Sequence, residues 1–120
     1  MARVTVFVVD DDLPFRRLAA ELLTGLGYVV VAQAADGRQA LSECARARPD
    51  AALVDVNLPD MDGFALARAL SRGASPPRVL LTSTDGHAAT PGALTEAGAV
   101  GFVPKAELAV TDLTRFLGHR

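Results

Sequence analysis

The sequence predicts an α/β fold of the doubly wound kind, a parallel sheet with helices on both faces. Two observations carry that prediction. Apolar runs of four to seven residues alternate with segments of helical period, five times along 120 residues, with short connections between them. The apolar runs are nearly continuous rather than alternating in polarity, as strands covered on both faces must be.

The first strand is placed at 3–9, where Val4-Thr5-Val6-Phe7-Val8-Val9 runs straight into Asp10-Asp11-Asp12. The first helix, 13–25, follows: Asp12 can cap it, Pro14 suits its first turn, and Phe15, Leu18, Ala19, Leu22 and Leu23 form its apolar stripe. Gly25 and Gly27 end it. A second strand at 28–33 leads to a helix at 37–48, which opens after Asp36-Gly37 and is stopped by Pro49. The third strand, 51–55, carries Ala51-Ala52-Leu53-Val54 onto Asp55, and a helix at 62–72 packs through Phe64, Leu66, Ala67 and Leu70. The fourth strand is placed at 78–83. The helix expected after it, 88–97, is poorly encoded, because Gly86, Thr90, Pro91 and Gly92 crowd its start. The fifth strand, 99–103, and a fifth helix, 106–118, complete the pattern, the helix with Leu108, Leu113, Phe116 and Leu117 as its stripe.

Composition bounds the function. A 120-residue chain suffices for one domain with a sizeable core, and one domain spanning 1–120 is expected, with no output domain after the fifth helix. The longest apolar stretch, Tyr28 to Ala32, is too short to span a bilayer, and Met1-Ala2-Arg3-Val4 lacks a signal-peptide core, so a soluble, cytoplasmic protein is expected. Net charge is -2 with acids and bases interspersed, which argues against nucleic-acid or membrane binding. The single cysteine, Cys44, reads as a small buried apolar residue. Eleven of twelve basic residues are arginine; the lone lysine, Lys105, follows an apolar strand, where a compact ammonium can serve as a point charge.

In open parallel sheets ligands bind beyond the carboxyl ends of the strands. Asp10, Asp11, Asp55, Thr82, Ser83 and Lys105 all fall at such ends. Carboxylates gathered there repel one another unless a cation joins them, and Asp10, Asp11 and Asp55 suit Mg2+, which takes a few carboxylates plus waters and phosphate oxygens. A carboxylate can also attack phosphorus, with metal and ammonium neutralising the transferring group.

Four segments in order now carry a resemblance that covers the whole chain: Val8-Val9-Asp10-Asp11-Asp12, Asp55-Val56-Asn57-Leu58-Pro59-Asp60-Met61-Asp62-Gly63, Leu81-Thr82-Ser83, and Ala97-Gly98-Ala99-Val100-Gly101-Phe102-Val103-Pro104-Lys105. The sequence resembles the receiver domain of bacterial two-component response regulators. The resemblance implies a flavodoxin-like (βα)5 sandwich with strand order 2-1-3-4-5. It implies that Asp55 is the phosphoacceptor, that Asp11 ligates Mg2+ directly, Asp10 mainly through water and Asn57 through its backbone carbonyl, and that Lys105 pairs with phosphoryl oxygens.

For the switch hydroxyl the local pattern favours Thr82, whereas spacing from Asp55 and Lys105 favours Ser83, the preferred choice. Phe102 stands at the aromatic switch position. Asn57 and Asp85 occupy the positions that flank a water attacking the aspartyl phosphate, which implies a phosphorylated lifetime of minutes rather than hours. Where many relatives carry a proline after the lysine, Ala106 stands here, so no cis peptide is expected.

The implied partners are a sensor histidine kinase or phosphotransfer protein, a downstream protein or an output domain of a longer regulator, and a second copy through the fourth helix, fifth strand and fifth helix. Three rivals are weaker. A phosphohydrolase would want a second carboxylate where Asn57 stands, a flavin phosphate would be repelled by Asp10-Asp11-Asp12, and a partner-only pseudo-receiver would have no use for the intact acid and lysine set.

Overall fold

The computed structural model describes residues 3–119; Met1, Ala2 and Arg120 lie outside the described residues. Five parallel strands, β1 (Thr5–Val9), β2 (Val29–Ala34), β3 (Ala51–Asp55), β4 (Arg78–Ser83) and β5 (Gly101–Pro104), form one sheet in the order β2-β1-β3-β4-β5. The helices between them are α1 (Leu13–Gly25), α2 (Gly37–Ala47), α3 (Gly63–Ser71) and α4 (Pro91–Ala97), with a last short helix, α5 (Thr114–Leu117), near the end. The expected doubly wound, flavodoxin-like architecture and strand order are therefore present.

Side chains alternate across the sheet and build two cores. Phe7, Val9, Ala52, Val54, Val79 and Leu81 pack with Leu66, Leu70 and Ala97 of α3 and α4 and Ala40 and Cys44 of α2. On the other face Val6, Val8, Leu53, Leu80 and Val103 meet Ala19 and Leu23 of α1 and Leu117 of α5. Cys44 is buried as expected, and burial pushes its thiol pKa up, away from reactivity. No helix among the described residues is long and apolar enough to cross a membrane.

The helix starts follow their caps. Asp12 accepts from the Phe15 amide at 3.4 Å, Asp36 from Gln39 at 2.7 Å and Asp62 from Ala65 at 2.7 Å. Two expected helices differ. The fourth begins at Pro91 instead of residue 88, because Thr90 caps it by accepting from the Ala93 amide at 3.2 Å and Pro91 fits its first turn. The fifth is not one helix over 106–118: a 3₁₀ segment, Lys105–Val110, breaks at Thr111, whose backbone is extended, before the single turn of α5. Val110-Thr111-Asp112 is the cause, two β-branched residues followed by an aspartate that bonds the Thr114 amide at 3.2 Å and hydroxyl at 2.6 Å. The apolar contacts expected of that segment survive, since Leu108, Leu113 and Leu117 are all buried.

Candidate functional site

Parallel register brings the strand ends to one edge. Asp55 pairs with Thr82 and Ser83 with Pro104, so the residues following β1, β3, β4 and β5 emerge side by side. The Asp10 amide still bonds the Ala34 carbonyl at 3.0 Å and the Val56 amide the Thr82 carbonyl at 2.9 Å, anchoring the backbone on either side of the acidic groups.

Carboxylate oxygens of Asp10, Asp11 and Asp55 lie within 4.8 Å of one another. Asp10 and Asp55 are buried and Asp11 is exposed. Lys105 reaches in from the end of β5, its Nζ 2.8 Å from Asp10 Oδ2 and 3.6 Å from Asp55 Oδ2, with only 11% of its side chain exposed. Asp10 Oδ1 accepts from the Asp12 amide at 2.9 Å, so both Asp10 oxygens are engaged by protein groups. Asp11, the exposed member, borders the cluster on its solvent side.

Asp55 accepts from the Asn57 amide at 3.3 Å. Burial raises its pKa, with the Asp10 charge adding to the effect; Lys105 and the Asn57 amide pull it back, and Asp11 raises it further, leaving it above the ordinary carboxylate value. One ammonium does not neutralise three acids, and Asp10 Oδ2 is buried without a well-aligned hydrogen bond despite its ion pair. An oxygen-rich set short of positive charge fits Mg2+.

The two candidate hydroxyls are both buried but differ in occupation. Thr82 donates to the Val103 carbonyl at 2.6 Å, tying β4 to β5. Ser83 accepts from the Asp85 amide at 3.1 Å, and its own proton has no acceptor among the described residues. Phe102 is half-buried and packs against the core that α3 and α4 share with the sheet. Asp85 is exposed and stays outside the carboxylate cluster; its Oδ1 accepts from the His87 amide at 2.9 Å, which makes it a turn residue. Asn57 is exposed beside the cluster, its loop held where the Gly63 amide bonds the Val56 carbonyl at 2.7 Å. Among the described residues the peptide bonds are trans, Lys105–Ala106 included.

Three contacts were not assigned from the sequence. The Phe15 ring lies beneath the Lys105 ammonium, 4.3 Å from centroid to Nζ, although the sequence marks Phe15 only as part of an apolar stripe. Arg16 Nη1 donates to the Asp10 carbonyl at 2.6 Å. Asp60 accepts from the Gly37 and Arg38 amides at 2.8 and 2.9 Å, clamping the loop after β3 onto the start of α2 and lowering its own pKa through those bonds. The motif around Asp55 includes Asp60, but nothing local names its distant partners.

Comparison with known proteins identifies the family. The sequence matches the family model of the response regulator receiver domain over residues 6–115. It is 36% identical over 111 residues to a protein-glutamate methylesterase/protein-glutamine glutaminase of Archaeoglobus fulgidus, covering 91% of this chain and 32% of that protein. A protein of the same description from Anaeromyxobacter dehalogenans is 42% identical over 103 residues, covering 85% of this chain and 29% of the relative. The chain therefore spans less than a third of these relatives. Among solved structures, the chemotaxis response regulator CheY4 of Vibrio cholerae superposes with a TM-score of 0.83 at 30% identity, covering 97% of this chain and 100% of that one. The response regulator domain of Thermotoga maritima CheB gives 0.78 at 26% identity, covering 95% and 87%. With the match running through all five strands and the acidic pocket at the edge where a phosphoacceptor belongs, this chain is a member of the response regulator receiver domain family.

Proposed function

We propose that this receiver takes a phosphoryl group onto Asp55 from the phosphohistidine of a sensor histidine kinase or phosphotransfer protein. The observation that carries the assignment is the convergence of three carboxylates and the chain's one lysine on a single point beyond the sheet. Asp10, Asp11, Asp55 and the Asn57 carbonyl would hold Mg2+, which when bound supplies positive charge to the phosphoryl oxygens.

The protein's own part is positioning and charge. An Asp55 carboxylate oxygen attacks phosphorus, the donor's P–N bond breaks with its electron pair returning to the imidazole, and an acyl phosphate forms. Lys105 exchanges its contact with Asp55 for one with a phosphoryl oxygen. Ser83, whose proton is uncommitted, turns its hydroxyl toward the new group; Thr82, already bonded to Val103, stays. Phe102 and α4 then repack, altering the surface of α4, β5 and the segment after it. That surface is where a downstream protein, an output domain or a second copy would read the state. By the family pattern Asn57 and Asp85 would flank the path of a hydrolytic water, Asp85 giving up its bond to the His87 amide to reach it, and Asp85→Ala should then lengthen the phosphorylated lifetime severalfold.

Incubation with MgCl2 and acetyl phosphate, followed by intact mass, tests the core assignment. Wild type should gain one phosphoryl group and Asp55→Asn none. Equal uptake by both would overturn it.

A further inference from the structure

We propose that the Phe15 ring is a positioning platform for the Lys105 ammonium, so that an aromatic side chain of α1 sets the rate at which Asp55 is phosphorylated. The inference rests on Asp55 being the phosphoacceptor and adds a residue to that reaction.

The ammonium has three neighbours: Asp10 Oδ2 at 2.8 Å, Asp55 Oδ2 at 3.6 Å and the Phe15 centroid at 4.3 Å. The two carboxylates are partners it has to share. Both belong to the acidic set that suits a cation, and Asp55 changes its chemistry when it accepts a phosphoryl group. The ring is a partner the ammonium keeps throughout, because attraction to a π face is electrostatic and tolerant of sideways motion. Phe15 also covers one side of an ammonium that is already largely shielded from water, where such attraction is stronger than at an exposed site. With the ring removed, Asp10 at 2.8 Å would be the dominant attraction, drawing Nζ away from the incoming phosphoryl group.

The ring is itself held by the turn that builds the acidic pocket. The Phe15 amide donates to Asp12 Oδ1 at 3.4 Å, and the Asp12 amide donates to Asp10 Oδ1 at 2.9 Å. Asp10 pairs with Lys105, which sits over Phe15, so the four residues close a circuit. Half-buried and packed against the core shared by α1 and β5, the ring has little freedom to leave the ammonium.

Because Lys105 is the only lysine, lysine-selective 13C labelling gives one Cε signal without assignment work. In the unphosphorylated full chain its Hε protons should be shifted upfield by the ring current, and Phe15→Leu should abolish the shift. Phosphorylation by acetyl phosphate at saturating MgCl2 should slow about three- to tenfold in Phe15→Leu, the factor a partly shielded cation–π contact supplies. Phe15→Tyr should restore it, while Mg2+ affinity measured by calorimetry stays unchanged. Replacing Phe15 by mono-, di- and trifluorophenylalanine keeps shape and folding and should lower the rate stepwise as the ring face loses negative potential.

An unshifted Hε signal in wild type, a Phe15→Leu rate equal to wild type, a rate insensitive to fluorination, or a loss of Mg2+ affinity matching the loss of rate would each overturn the proposal. The Hε measurement uses no phosphodonor, so failure of the contact is told apart from failure of the chemistry. A shifted Hε signal in a wild type that takes up no phosphoryl group would instead overturn the reading of Asp55, and the role of Phe15 with it.

Discussion

Asp55 is held at a cost that its chemistry uses. Its pKa is raised in the fold, mainly by burial and then by Asp10, so the folded state binds this proton more tightly than the unfolded chain does. The sign follows by linkage: the favourable contribution is full below the unfolded pKa and is lost as pH rises through the folded one. Without Mg2+, Asp55→Asn should therefore be more stable than wild type at neutral pH, with the difference shrinking on acidification. Urea titrations across that range in EDTA measure it, and a difference that grows on acidification would contradict the balance of charges. A second residue-scale expectation concerns Thr82. Thr82→Val keeps the shape but leaves the Val103 carbonyl buried without its side-chain donor, a loss of about 1–3 kcal/mol in the same titration. The carboxylates and Lys105 were legible in the sequence because each directly follows an apolar run. The bond that commits Thr82 to Val103 was not, since both hydroxyls close the same strand and the partner lies 21 residues away on β5. The Phe15 contact was equally hidden, because it joins the first helix to the end of the fifth strand.

Among the elements, α3 shows how tightly the loop after Asp55 is confined. A Cβ on Gly63 would lie 2.5 Å from the Asp55 carbonyl oxygen and 2.8 Å from the Val56 Cα, both backbone atoms that cannot yield cheaply. Gly63→Ala should cost about 1–3 kcal/mol of stability and also slow phosphorylation, because the strain falls on the residue that reacts. An alanine variant as stable and as reactive as wild type would show that α3 can slide away. The clamp from Asp60 makes a separate prediction: Asp60→Ala should speed amide exchange at Gly37 and Arg38, whose acceptors it removes, while exchange in β1 and β3 is unchanged. The elements legible in the sequence were those with capping chemistry, as Asp12, Asp36 and Asp62 each mark a helix start. The fifth helix was not, because buried Leu108, Leu113 and Leu117 are satisfied equally by a 3₁₀ segment, a break and one helical turn. Apolar spacing reports which face is covered and leaves open how the backbone gets there.

At the scale of the whole molecule, the site sits where two separately packed cores share one sheet, so a local change can reach either side. The α4 side is the more easily altered. Its helix runs only Pro91–Ala97, and the connection before it is built from turns at Asp85 and His87. Beryllofluoride with MgCl2, which mimics the phosphoryl group, should change amide exchange across residues 84–105 and leave β1 and α1 as they were. Uniform slowing along the chain would mean simple stabilisation by ligand, without a switch. The bond from Thr82 to the Val103 carbonyl has a mechanical consequence here. On the proposed switch it would work as a fulcrum pin between β4 and β5, with the sheet behind it as a stator and the lever beginning one residue later, at Ser83. On that reading the length of the lever would set how far a phosphoryl group on Asp55 can be felt.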